Sequence, residues 1–288
     1  MDNIFSLIGV EKKYSDFHLK EINISCKKGV IMGLIGPNGA GKTTILDILA
    51  GAKQPSSGEV EIFGKKASRL TDTDKEHIGV VYDSNHLPEL LSLKEINRVF
   101  KKIYKEGWSE EKYFYYTSKM NIPSKTSVKK MSRGNKIKLN LAAALAHNPD
   151  LLILDEITGA LDPVARDDIM DIFLDFIQDP NKSILFSSHI TTDLEKVADY
   201  ITFLKDGEII FSKEKDSLLY EYRILRCKAS KFSDLDAKGV VAYKEGPGSY
   251  DVIWNKEKLP LVEGVEGVVI EQPTIEEIML IITKGEKR

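Results

Sequence analysis

Residues 3–11 and 20–25 alternate apolar and polar side chains with a period of two, which predicts two half-buried antiparallel strands with Tyr14 in the turn region between them. Residues 30–35 are apolar without alternation, the pattern of a strand buried on both faces, and beyond a glycine-rich stretch Ile45, Leu46, Ile48 and Leu49 return at helical spacing. Further strands are expected over 59–63, ending at Gly64, and over 78–82, leading into a loop at 83–88. From Ser92 the period lengthens. Ser92 and Glu95 form a capping-box pattern, Leu93, Ile96, Val99, Phe100 and Ile103 share one helix face, and a second helix should start at Ser109 with Trp108 stapled on Tyr113.

Ser132 is placed as the N-cap of a helix over 136–147, whose Ile137, Leu139, Leu141, Ala144 and Leu145 suit burial. Residues 151–154 then read as a buried strand that ends in two acids, Asp155 and Glu156. A helix should run from Pro163 to Ile177, and a strand over 183–186 should end at Ser187, Ser188 and His189. Thr192 and Glu195 suggest another capping box, and strands at 201–204 and 208–211, joined across Lys205, Asp206 and Gly207, would close the domain as a hairpin. Past residue 215, strand-like runs at 222–227, 240–243 and 250–254 precede a helix over 274–282. This is a small α+β appendage, near the lower size at which a domain folds alone.

Composition narrows the class. The 288 residues are 42% hydrophobic, enough for one large α/β core and a smaller one. With 41 Lys and Arg against 44 Asp and Glu, the net charge of −3 gives no reason to expect nucleic acid as a partner. The charge is uneven, however: residues 84–140 hold thirteen Lys or Arg against five Asp or Glu. Such a segment is either a solvated helix face or a docking surface for an acidic partner or anionic membrane. No apolar run approaches the eighteen or so residues of a membrane span, and no long apolar stretch follows Asp2, so the chain is expected to stay in the cytoplasm. Cys26 and Cys227 are isolated in sequence and read as reduced packing residues.

The stretch Gly36, Pro37, Asn38, Gly39, Ala40, Gly41, Lys42, Thr43, Thr44 lies between the predicted strand at 30–35 and the helix that follows, the context a phosphate-binding P-loop requires. Its glycines free backbone N–H groups to wrap phosphate oxygens, and the helix turns its positive N-terminal end toward the same charge. Lys42 can reach the β- and γ-phosphates, Thr43 can offer a hydroxyl to magnesium, and Thr44 can bond a neighbouring phosphate oxygen. Two acids at the end of an apolar strand stand where parallel sheets place their chemistry. Asp155 can hold magnesium through water, and Glu156 can orient or deprotonate an attacking water. Tyr14 is either a base-stacking ring or a surface turn tyrosine, and His189 either contacts a γ-phosphate or is structural.

These motifs, in this order, resemble the ATP-binding cassette ATPases, the nucleotide-binding subunits of ABC transporters. The resemblance covers about residues 3–212 and rests on Tyr14, the P-loop, the signature region at 131–135, the strand ending in Asp155 and Glu156, the D-loop of Gly159, Ala160, Leu161 and Asp162, and His189. It implies an α/β P-loop NTPase fold over 1–215, with a RecA-like core, an antiparallel β subdomain and a helical subdomain at about 84–140, before a C-terminal α+β domain at 216–288. It implies ATP and Mg2+, with Glu156, His189 and Lys42 as catalytic residues and Thr43, Asp83 and Asp155 around the metal. Tyr14 would stack on adenine, and Ser132 and Gly134 would face the γ-phosphate held by a second cassette, so that two chains share two ATPs. The other expected partner is a separate transmembrane permease, which would hold the chain on the inner face of the cell membrane. The C-terminal stretch resembles extensions on cassettes of the antibiotic and multidrug export type. A soluble ABC-type ATPase acting in assembly or regulation is the alternative. Two motifs depart from the family pattern: in the loop after residue 82, Asp83 stands where an amide is usual, and the signature carries Arg133 for a glycine and Asn135 for a glutamine.

Overall fold

Alternation at the start of the chain becomes β1 (Asn3–Lys13) and β2 (His18–Lys27), an antiparallel pair with Leu7 opposite Ile24. The computed structural model describes residues 2–84, 86–262 and 264–286; Asn85, within the loop expected at 83–88, lies outside them. The non-alternating run forms β3 (Ile31–Ile35), buried at every position, and α1 (Lys42–Leu49) follows the glycine stretch. Next, β4 (Ser57–Ile62) and the two-residue β5 (Lys65–Lys66) complete an antiparallel sheet in the order β2-β1-β4-β5. A short helix absent from the sequence reading, α2 (Asp72–Glu76), is held by a reciprocal Thr71–Asp74 capping box and leads into β6 (Ile78–Tyr82).

Three helices come in succession: α3 (Leu93–Tyr104), α4 (Glu110–Lys119) and α5 (Arg133–Ala146). The Ser92 box is present, with the Ser92 N–H donating to Glu95 Oε2 at 2.8 Å, and the Trp108 and Tyr113 rings lie 5.3 Å apart as the staple requires. The apolar face expected along α3 is only half used. Leu93 and Ile96 are buried, whereas Val99 is 37% and Ile103 58% exposed, because no element of the first unit covers the outer turns of this helix among the described residues.

Then β7 (Leu151–Asp155), α6 (Pro163–Phe176), β8 (Ser183–Ser187), α7 (Thr191–Val197), β9 (Tyr200–Lys205) and β10 (Glu208–Glu214) follow. The expected capping box at Thr192 is not formed: α7 begins two residues earlier than a Thr192 cap requires, behind Ile190, and no side-chain hydrogen bond caps it. Its Asp193 instead turns inward toward Arg166, at 3.8 Å. The second sheet has the order β10-β9-β3-β8-β7-β6, with β9, β3, β8, β7 and β6 parallel. Side chains of both sheets and α1, among them Leu7, Ile22, Met32, Leu46, Ile153 and Leu185, make one continuous core. Burying each such side chain is worth about 1.5–3 kcal/mol. The five parallel strands run the same way, so their carboxyl ends deliver the loops after β3, β6, β7 and β8 to one edge, as open α/β sheets do.

The chain divides into two compact units, Met1–Ser212 and Lys213–Arg288. The second contains α8 (Lys215–Glu221), β11 (Tyr222–Lys228), α9 (Ala229–Phe232), β12 (Val240–Gly246), β13 (Ser249–Asn255), β14 (Val268–Glu271) and α10 (Ile275–Lys284). Its antiparallel sheet, β12-β13-β11-β14, packs Leu225, Val252 and Trp254 into a core of its own.

Candidate functional site

The loop between β3 and α1 is shaped by Gly41, the N-cap of α1, which has φ +107°. A Cβ there would also lie 2.8 Å from Phe17 Cζ and 2.9 Å from Leu19 Cδ1, so both the backbone and the space require glycine. Pro37, Asn38 and Gly39 are exposed at the loop tip, while Gly36 and Ala40 are buried at its base, and the Ala40 N–H closes the turn onto the Pro37 carbonyl at 3.2 Å. Lys42, only 6% exposed, runs back under this loop; its Nζ donates to the Gly36 carbonyl at 2.8 Å and lies 3.3 Å from Glu156 Oε1. In the first turn Thr44 is buried and Thr43 exposed.

The acids at the end of β7 meet this loop. Thr43 Oγ1 donates to Asp155 Oδ2 at 2.8 Å, and Ser187 Oγ donates to Asp155 Oδ1 at 2.6 Å. A hydroxyl and a carboxylate side by side are hard oxygen ligands of the kind a small divalent cation takes together with phosphate oxygens. Glu156 has φ +54°, a left-handed conformation uncommon outside glycine, and its N–H is held by the Ser187 carbonyl at 3.1 Å. Its carboxylate accepts from the His189 ring at Nδ1 and from the His189 backbone N–H at 3.3 Å. Burial works against its charge, but the His189 hydrogen bond and the Lys42 ammonium outweigh it and hold the Glu156 carboxyl below its ordinary value. An ionised carboxylate beside a histidine and a lysine at a strand end can accept a proton from water.

Ser132 stands at the N-terminus of α5, where its Oγ accepts from the Asn135 N–H at 3.2 Å. In the same first turn a Cβ at Gly134 would lie 3.2 Å from the Ala160 carbonyl oxygen, so the D-loop rests directly on this helix. Asp83, expected around the metal with Thr43 and Asp155, is ion-paired with Arg133. Tyr14 is 40% exposed and packs beside Phe17, with Lys12 Nζ 5.7 Å and Lys53 Nζ 5.6 Å from its ring centroid. One group therefore unites Lys42, Thr43, Asp155, Glu156 and His189, a second contains Ser132, Gly134, Arg133 and Asp83, and Tyr14 belongs to a third.

Sequence reasoning overlooked Ser187, whose hydroxyl orients Asp155. The signal was the parallel register, since equal-length apolar strands ending in an acid and a serine set Asp155 opposite Ser187. Lys12 and Lys53 were also missed: Lys12 stands two residues before Tyr14, the spacing of one strand face, whereas nothing in the spacing of Lys53 relates it to Tyr14.

Comparison with known proteins agrees with the geometry. A family model described as ABC transporter matches residues 19–159. The lantibiotic transport ATP-binding protein SrtF of Streptococcus pyogenes is 36% identical over 200 residues, covering 69% of this chain and 85% of that protein. The bacitracin transport ATP-binding protein BcrA of Bacillus licheniformis is 32% identical over 214 residues, covering 73% of this chain and 69% of the relative. Among solved structures, the ATP-binding cassette MJ0796, a dimer in a post-hydrolysis state bound to ADP and Pi, superposes with a TM-score of 0.65 at 26% identity, over 73% of this chain and 98% of the other.

Proposed function

The chain belongs to the ATP-binding subunits of ABC transporters, ATPases that dimerise and work with a membrane permease, and from that premise we propose that it drives export of antibiotic, peptide or drug-like compounds through a separate permease. The observation that carries the reading is the convergence of Lys42, Thr43, Asp155, Glu156 and His189 at the carboxyl ends of β3, β7 and β8. The substrate class is supported by the transport roles in the names of SrtF and BcrA. No helix among the described residues is long and apolar enough to cross a membrane, which fits a subunit that docks on the inner face of the membrane through its permease.

In this mechanism the P-loop amides from Gly36 to Gly41 and the Lys42 ammonium bind the β- and γ-phosphates, with Thr44 on a neighbouring oxygen. Thr43 and Asp155 would hold magnesium, which supplies charge neutralisation on the phosphates. Glu156 takes the proton of the attacking water, His189 holds Glu156 in place and reaches the γ-phosphate, and Tyr14 supports the adenine ring. Ser132 and Gly134 close on the ATP of a second cassette.

Fractionation tests the transport role against that of a soluble assembly ATPase. The transport reading expects the chain to be recovered from detergent-solubilised membranes in one complex with a polytopic protein, with ATP turnover altered by that partner. Recovery wholly in the soluble fraction, with full turnover, would overturn it.

A further inference from the structure

The two departures from the family pattern meet in one ion pair. Arg133 Nη2 donates to Asp83 Oδ2, while Asp83 Oδ1 is buried without a hydrogen-bond partner among the described residues. Asp83 leaves the sheet next to Tyr82, which lies opposite Asp155 in the β6–β7 register and whose hydroxyl donates to Asp47 of α1 at 2.8 Å. The Asp83 carboxylate therefore adds negative charge at the edge of the sheet where Asp155 and Glu156 already outnumber Lys42, and where a polyphosphate must come. Arg133 is the first residue of α5, behind the Ser132 cap. A cation at that end opposes the helix dipole, so its placement is unfavourable unless a carboxylate answers it.

We propose that Arg133 is a positioning residue for Asp83. Its guanidinium cancels the charge that Asp83 brings to the phosphate side, and it ties the loop after β6 to the first turn of α5, so that ATP affinity depends on the pair and not on either member alone. The inference rests on the ATP-binding role proposed above. It explains why both departures occur in one chain: an aspartate without Arg133 would repel ATP, and an arginine without Asp83 would stand unanswered at a helix N-terminus.

The test is a double-mutant cycle on the full chain, read by equilibrium titration with a fluorescent ATP analogue and with the matching ADP analogue, both without divalent cation. Arg133→Ala should weaken ATP binding about two- to fivefold, the range of one exposed charge pair. The loss should be smaller for ADP, which carries less charge, and Arg133→Lys should avoid it because the charge is kept. In the Asp83→Asn background, Arg133→Ala should no longer weaken ATP binding. Equal losses with and without Asp83, or equal losses for ATP and ADP in a chain with parental thermal unfolding, would overturn the pairing. A parental chain that binds neither nucleotide would instead overturn the ATP-binding reading, and an unfolded Asp83→Asn protein is replaced by Asp83→Gln in the same cycle.

Discussion

Glu156 is constrained through both its backbone and its side chain. It holds a left-handed backbone, which costs on the order of 1–3 kcal/mol, and its position is fixed from both sides by Ser187 and by the His189 and Lys42 contacts to its carboxylate. Glu156→Gln should keep ATP binding while turnover falls about a hundredfold to ten-thousandfold, whereas Lys42→Ala should lose tight binding itself; parental turnover in Glu156→Gln would remove Glu156 as the base. A second titratable residue sets stability rather than chemistry. His147 stacks on Tyr104 at 4.6 Å, and burial pushes its imidazole down to about 4. The folded chain keeps it neutral, while below about 6.5 the unfolded chain takes up a proton. Its contribution is thus fully present above that pH and is lost as pH falls toward 4, by up to about 3 kcal/mol. Comparing urea midpoints at pH 7.5 and 5, His147→Phe should lose less stability than the parent; an equal loss would show that His147 is not the titrating group. The residues of the P-loop and the paired acids were legible in sequence because the chemistry fixes their types and spacing. The partnership of Asp83 with Arg133 was not, since it joins positions fifty residues apart through side chains that either helix or loop could have turned to solvent.

Local chemistry fixed the elements where side chains act on their own backbone. Ser109, Ser132, Asp162 and Thr274 all accept from an N–H three residues on, at 3.1, 3.2, 2.9 and 3.1 Å, and each begins a helix that the sequence predicts. The Thr192 pattern failed because Thr191 and Thr192 are already inside the helix, whose Asp193 is 5% exposed and packs toward Arg166. Periodicity likewise specifies that α3 has an apolar face without saying what covers it. Here Leu90, just before the helix, is 80% exposed, and Val99 and Ile103, one turn apart farther along it, are exposed as well. We propose these exposed apolar side chains, set in the basic 84–140 segment, as the permease dock, with apolar contact supplying affinity and lysines orientation. Exposed charge pairs add only about 0.2–1 kcal/mol each. Lys101 is already paired with Glu110 at 3.1 Å, which leaves Lys102 and Lys105 as the better orienting charges. Leu90→Asp or Ile103→Asp should reduce membrane recruitment at all salt concentrations, reversal at Lys102 and Lys105 should reduce it only at low salt, and neither should change ATP turnover of the isolated chain. Recruitment untouched by both sets would exclude this surface.

At the scale of the whole molecule, the α/β order and the parallel sheet were readable from alternating strand and helix patterns, while three elements of the second unit were not: α8 and α9 span only seven and four residues, too few to show a helical period, and β14 is a run of Val268, Val269 and Ile270 without alternation. The division of labour within the first unit has a consequence for assembly. Lys42 and Glu156 sit at the carboxyl ends of β3 and β7, whereas Ser132 opens α5 and is committed to Asn135 of its own chain. If Ser132 completes the site of a second copy, then each chain lends one half to its partner and borrows the other, and a defect in either half is confined to one of the two sites. Lys42→Ala and Ser132→Arg should each be nearly inactive alone. Mixed in equal amounts, they should regain about a quarter of the parental turnover, since half of random pairs are mixed and each mixed pair holds one intact site. That site combines the P-loop of the Ser132→Arg chain with the signature of the Lys42→Ala chain. Mixed dimers that form, as judged by pull-down between two different tags, yet hydrolyse ATP no faster than either mutant alone would show that two copies of this chain do not share their sites.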